Sequence, residues 1–290
     1  GRPYLVAGFA LIVAGLAFKL SFVPFHFWTP DVFEGAPAPI TAFLATVSKG
    51  AVIVLLLRFL LESGAYTTAS VLTALAIVGI VSMLVGNLLA LMQRNLKRLL
   101  AYSSVAHMGY LLVPLTAGGE LAVETVAYYL AAYFVMTLGA FGAIAIYSLP
   151  GGSKDLDDIE DYRGLFWQRP WLASALTAML LALAGMPFTA GFIAKFYLFT
   201  TGLFTVGTDT RLWALLGALI IGSALGLFYY LRVVVVMAGA VSGERRKAMP
   251  KFTLSGSFTL VVLTLLLIAF GVYPSPLLEL IRHTSLIMTR

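Results

Sequence analysis

The sequence contains no cysteine, which excludes disulfides, thiolate zinc sites and iron–sulfur ligation. Charge is scarce as well. Only 11% of residues are Asp, Glu, Lys or Arg, against roughly a quarter in a soluble domain. The three histidines, His26, His107 and His283, fall in unrelated segments and do not point to a metal site. No G-x-G-x-x-G or Walker pattern is present, and the glycine pairs starting at Gly118 and Gly151 sit at span ends and read as turns, so a nucleotide-binding enzyme is not indicated. No loop is long enough for a folded soluble domain; the longest lies near 150–170. A secretory signal pattern is also lacking. The chain begins at Gly1 without Met and reads as a portion whose upstream spans lie outside it.

What is present is apolar. Hydrophobic residues make up 60% of the chain and mean hydropathy is +0.96. This predicts an all-α, polytopic transmembrane bundle with room for about eight spans at ~20 residues each. The expected helices are 4–22 with a broken continuation to 35, then 39–61, 68–92, 99–117, 121–149, 171–204, 210–240 and 254–273. The tail "PSPLLELIRHTSLIMTR" fits either an extension of the last span or an interfacial segment.

The net charge of +6 does not imply nucleic acid, because the basic residues gather in alternate short loops. One set holds Arg94, Lys97 and Arg98, then Lys154, Arg163 and Arg169, then Arg245, Arg246, Lys247 and Lys251. The positive-inside rule puts this face, with the turn "EGAPAP", on the cytoplasmic or matrix side.

Three lysines fall inside apolar spans: Lys19, Lys49 and Lys195. Lys49 lies ten residues after Pro39, which is ~15 Å along a helix and near the bilayer midplane. Snorkelling suits Arg58 and Arg232, each near a span end, but serves Lys49 poorly. A lysine in a span costs ~2.5–3.5 kcal/mol on insertion scales, so three in one chain point to function. Desolvation disfavours the ammonium and a nearby opposite charge restores it, so such a lysine can load and release a proton. All thirteen carboxylates sit in loops, near span ends or in breaks, which places a deep acidic partner outside this chain. His107, within "AYSSVAHMGY", is a further relay candidate. A packed histidine bonded to a carbonyl, Ser103 or Ser104 is the structural alternative.

Two of the spans carry breakers. Pro24 and Pro30 flank "FHFWT", and Gly185, Pro187 and Gly191 interrupt "AGMPFTAGF". Segment 171–204 as one helix would be ~50 Å long, beyond the ~30 Å hydrocarbon core. Each break lies near a lysine, Lys19 before Pro24 and Lys195 after Pro187. Paired interrupted segments are the sequence pointer to a transport site built from inverted repeats.

The stretches "KLSFVPFHFWTPDVFEGAPAPITAFLATVSK", "RNLKRLLAYSSVAHMGY" and "GMPFTAGFIAKFYLF" together resemble the antiporter-like subunits of proton-translocating NADH:quinone oxidoreductase, respiratory complex I. The N type, counterpart of mitochondrial subunit 2, is the nearest in pattern. The resemblance implies a fourteen-helix parent with inverted five-helix repeats, of which this chain matches the C-terminal portion. Residues 1–61 would end the first repeat, 62–240 would form the second, and 241–290 would hold a cytoplasmic loop, the last span and a tail. It further implies that Lys19 is the lysine of the broken seventh helix, Lys49 that of the eighth and Lys195 that of the twelfth, with His107 on the tenth-helix polar axis. The family pairs its seventh-helix lysine with a fifth-helix glutamate, which lies outside this chain.

The resemblance implies a translocase subunit without a redox centre, cofactor or metal of its own. NADH and quinone would be used by the whole complex, and the partners would be its other membrane subunits and the lipid bilayer. A bacterial cell membrane is expected, the mitochondrial inner membrane being the alternative. Two other functions are open: a subunit of a multisubunit cation/proton antiporter, and a structural or quinone-binding subunit that conducts nothing.

Overall fold

A computed structural model describes residues 2–64, 66, 68–148, 155–240 and 254–288. All of the named elements among them are helical. In chain order these are α1 (Arg2–Leu20), α2 (Trp28–Gly35), α3 (Ala38–Phe43), a π-helical turn (Leu44–Ser48), α4 (Lys49–Glu62), α5 (Ala69–Leu91), α6 (Leu96–Ala117) and α7 (Glu120–Tyr147). A 3-10 turn (Ile159–Tyr162) leads to α8 (Leu165–Gln168), α9 (Pro170–Ala184), α10 (Ala190–Val206), α11 (Thr210–Ala238), α12 (Leu254–Val272) and α13 (Ser275–Met288).

Six helical stretches among the described residues are long and apolar enough to cross a membrane, with α3 to α4 counted as one continuous stretch. The apolar end of α1, α9 and α10 are shorter. The expected span 171–204 is thus divided where the breakers predict, between Ala184 and Ala190. The first break runs from Ser21 to Phe27, and α2 restarts with Pro30 in its opening turn, where a missing backbone N–H costs nothing. The tail is a separate helix, α13, set off by Pro274 and packed on α7, with Leu278 buried and Arg282 paired to Glu124.

α6 is the central element. It has the lowest mean hydropathy of the six spans and is the one wholly enclosed. Lipid is as apolar as a leucine core, so a membrane bundle places its polar helix inside. α5 lies against it with backbones nearly touching: a Cβ on Gly86 would come 2.7 Å from the Ala106 nitrogen, and one on Gly109 would come 2.9 Å from the Met83 nitrogen. α2, α7, α10 and α11 complete the surround.

The loops expected on one face do meet there. Ala38 N–H donates to Asp155 Oδ2 at 2.8 Å, Lys97 Nζ donates to the Ala36 carbonyl at 2.8 Å, and Asn95 bridges to Asp158. Arg98 joins them to α2 through Asp31 and Glu34, each at 2.8 Å. Lys154, Arg245, Arg246, Lys247 and Lys251 lie outside the described residues.

Candidate functional site

Lys49 sits where the π-helical turn hands over to α4. Such a turn carries one extra residue per hydrogen-bonded ring and re-aims the side chains beyond it. Lys49 is 1% exposed, and its Nζ donates to Ser104 Oγ of α6 at 2.9 Å. The ammonium also lies 5.5 Å from the centre of the Phe33 ring of α2. Ser104 Oγ accepts a second bond, from Tyr133 OH of α7 at 2.8 Å.

His107 stands one helical turn further along α6, 2% exposed, with Nδ1 2.7 Å from Tyr129 OH. Its partner is therefore a tyrosine, not a carbonyl or either of the serines considered from sequence. The rings of Tyr133, Tyr110 and Tyr129 surround it at 5.2, 5.4 and 6.0 Å between centres. Ser103, on the preceding turn, bonds Tyr230 OH of α11.

Lys195 is built into the second break. Its Nζ donates to the Ala184 carbonyl at 2.8 Å, at the C-terminal end of α9. That end carries unpaired carbonyls and the negative pole of the helix dipole, so the main chain itself supplies the countercharge. Gly185 makes the room, since a Cβ there would lie 2.8 Å from Lys195 Cδ, and its φ of +89° suits glycine. Gly191 lets α10 restart against the Ala182 carbonyl, which a Cβ would overlap. Thr189 caps the restart through Phe192 N–H, and Pro187 lies in the exposed bend. On the other side Lys195 Nζ is 5.2 Å from the centre of the Tyr110 ring.

Lys49, His107 and Lys195 thus lie around one tyrosine-rich layer of α6 and α7. Lys19 does not. It is exposed at the end of α1, beside the exposed Phe18, and that face of α1 is uncovered among the described residues. Pro24 lies within the first break, where Val23 N–H is taken by Ser82 of α5 and Thr29 Oγ1 donates to Ser21 Oγ.

One cation differs from its sequence reading. Lys97, read as a loop charge, is buried, because Asn95 caps α6 and turns the next residues inward. It is paired with Asp155 at 2.9 Å. Arg232 caps the end of α5 by donating to the Leu91 carbonyl at 2.9 Å and to the Gln93 carbonyl. Arg58 is exposed and bonds Glu62.

Among the described residues neither Lys49 nor Lys195 pairs with a carboxylate, and no cluster of His, Asp or Glu could hold a metal ion.

The sequence profile of the NADH:quinone oxidoreductase/Mrp antiporter transmembrane family matches residues 2–226. The chain belongs to that family. It is 51% identical over 282 residues to NADH-quinone oxidoreductase subunit N of Ectopseudomonas mendocina (strain ymp), covering 97% of this chain and 56% of that protein. It therefore spans a little over half the length of that curated relative. The fold is similar to a chain in the structure of respiratory complex I from Thermus thermophilus with bound aureothin, with a TM-score of 0.74, 32% identity, and coverage of 91% of this chain and 56% of that one. A chain of the Mrp complex from Dietzia sp. DQ12-45-1b shares the fold at a TM-score of 0.79 and 19% identity, over 94% of this chain and 57% of that one.

Proposed function

We propose that the chain is the C-terminal portion of a membrane subunit of NADH:quinone oxidoreductase, and that it helps carry protons across the bilayer. Lys49, His107 and Lys195 act as relay groups. The observation that carries this reading is the Lys49 ammonium, buried with a serine hydroxyl as its hydrogen-bond partner. A fixed structural lysine needs a matching charge, whereas one held by hydroxyls can give up its proton without stranding a buried anion. Ser104 and Tyr133 lead from Lys49 toward His107, Tyr129 OH bonds His107, and the Tyr110 ring lies between His107 and Lys195. Rotation of these hydroxyls, and water between them, would complete each transfer.

Lys19 belongs to the same reading as a relay group whose partner sits on the uncovered face of α1, supplied by the rest of the protein or by a neighbour. Residues 1–61 would then close one inverted repeat, 62–240 would form the other, and 241–290 would follow as loop, last span and tail. Pro24, Pro30, Pro187 and Gly191 serve as the structural breaks. NADH and quinone would react elsewhere in the complex. Its other membrane subunits would be the partners, and a bacterial cell membrane the location, in keeping with the bacterial relative.

The test is Lys49→Ala in the full-length subunit within the whole complex, reconstituted in vesicles. Proton uptake per NADH oxidised is expected to fall severalfold. Unchanged uptake would defeat the proposal. The Mrp likeness supports a second reading, a cation/proton antiporter subunit. Copurification with peripheral iron–sulfur subunits would exclude it, and sodium-dependent growth rescue would favour it.

A further inference from the structure

Asn87 is the one amide side chain in α5, and it is buried. An unbonded amide at that depth would be costly. Every group of it is used. Nδ2 donates to the Met83 carbonyl at 2.7 Å and to Tyr110 OH at 2.9 Å, and Oδ1 accepts from Tyr229 OH of α11 at 3.1 Å. Gly222 of α11 leaves the space, since a Cβ there would lie 2.8 Å from both Asn87 Nδ2 and Tyr110 OH. Three helices are shaped around one amide. Holding α5 to α6 does not require this, because Gly86 and Gly109 already bring those backbones together.

Tyr110 is the group the amide controls. Its ring lies beneath the Lys195 ammonium and stands edge-on to His107 at an interplanar angle of 75°. A cation over an aromatic face gains from the ring quadrupole, and the gain depends on where the ring points. An amide passes a proton only through an unfavourable imidic form, so Asn87 is not itself a step in a relay.

We infer that Asn87, braced by Tyr229, is a positioning residue for Lys195: it fixes the Tyr110 ring under the ammonium and so sets the pH range over which Lys195 holds its proton. The inference rests on the proposed transport role of Lys195. The other titratable groups at this level are Tyr197 on α10 itself, His107 on α6, Tyr128, Tyr129 and Tyr133 on α7, and Tyr229 and Tyr230 on α11. α9 and α12 carry none.

The experiment uses the full-length protein in the reconstituted complex and follows proton uptake per NADH against pH. Asn87→Leu is expected to move the alkaline limb of the profile down by about one pH unit, the worth of a desolvated cation–π contact. Tyr110→Phe keeps the ring but loses the bond, and shifts the limb the same way. The Asn87→Leu/Tyr110→Phe double variant moves it no further than the larger single shift. Tyr229→Phe removes one hydroxyl without changing shape and gives a smaller shift of the same sign, which keeps the test open if Asn87→Leu does not assemble. An unmoved limb in Tyr229→Phe and Asn87→Leu, or additive shifts, would overturn the inference while Lys195→Ala still abolishes uptake. Normal uptake in Lys195→Ala would instead overturn the transport role and this inference with it.

Discussion

Removing Asp155 should destabilise the protein far more than its place in a loop suggests. Asp155 Oδ2 receives both Lys97 Nζ at 2.9 Å and Ala38 N–H at 2.8 Å. The side chains of Lys97 and Asp155 are only 2% and 15% exposed. Asp155→Ala therefore strands a buried ammonium, which costs about 3–5 kcal/mol. The lower end applies, because Lys97 keeps the Ala36 carbonyl and water can reach the vacated site from the Asp155 side. The Lys97→Met/Asp155→Asn pair removes the charge yet leaves an amide oxygen for Ala38 N–H, so its cost should be about 1 kcal/mol or less. The assay is the denaturant midpoint of the detergent-solubilised full-length protein, followed by tryptophan fluorescence. Arg58→Ala is the control, since the Arg58–Glu62 pair is 75% and 65% exposed and should move stability by less than about 0.5 kcal/mol. The reasoning fails if Asp155→Ala matches that control, or if the paired substitution is as damaging as Asp155→Ala alone.

Two further outcomes follow from the helix ends. Gly191→Ala sets a methyl against the Ala182 main chain, which no rotamer change can relieve, so it should cost about 1–3 kcal/mol or more and lower the same midpoint. Arg211 holds the Asp209 carboxyl below the usual carboxylate range, where it caps α11 through Arg211 N–H at 2.9 Å. Its contribution is complete above about pH 4 and disappears as the pH falls through the lowered value. Asp209→Ala should therefore cost about 1 kcal/mol at neutral pH, a gap that closes in midpoints measured below pH 4.

The spans and both breaks are legible in the sequence because hydropathy and helix-breaking residues act locally. Gly185 and Pro187 close together end the helix by local geometry, so 171–204 divides there whatever packs on it. Burial is a different matter. Lys19 and Lys49 look alike along the chain, yet which face of a helix is covered depends on its neighbours, and the described residues cover only Lys49. Lys97 was hidden by the charges around it; the local signal was Asn95, whose capping role starts α6 early and turns Lys97 inward. The tyrosine layer around His107 has no sequence period at all, because its members come from two helices, α6 and α7. Asn87 did leave a trace, as a solitary amide in an apolar span with Gly86 beside it.

The seating of Lys195 on the Ala184 carbonyl has a consequence for how that position responds to its surroundings. A carboxylate partner can be neutralised by acid or deleted by substitution. A peptide carbonyl can be neither protonated in the accessible range nor mutated away. The attraction felt by Lys195 from the end of α9 is therefore constant across conditions, and only a change of backbone shape at Gly185 or Gly191 can alter it. Whatever varies the hold on that proton must come from the opposite, side-chain face, where Tyr110 lies.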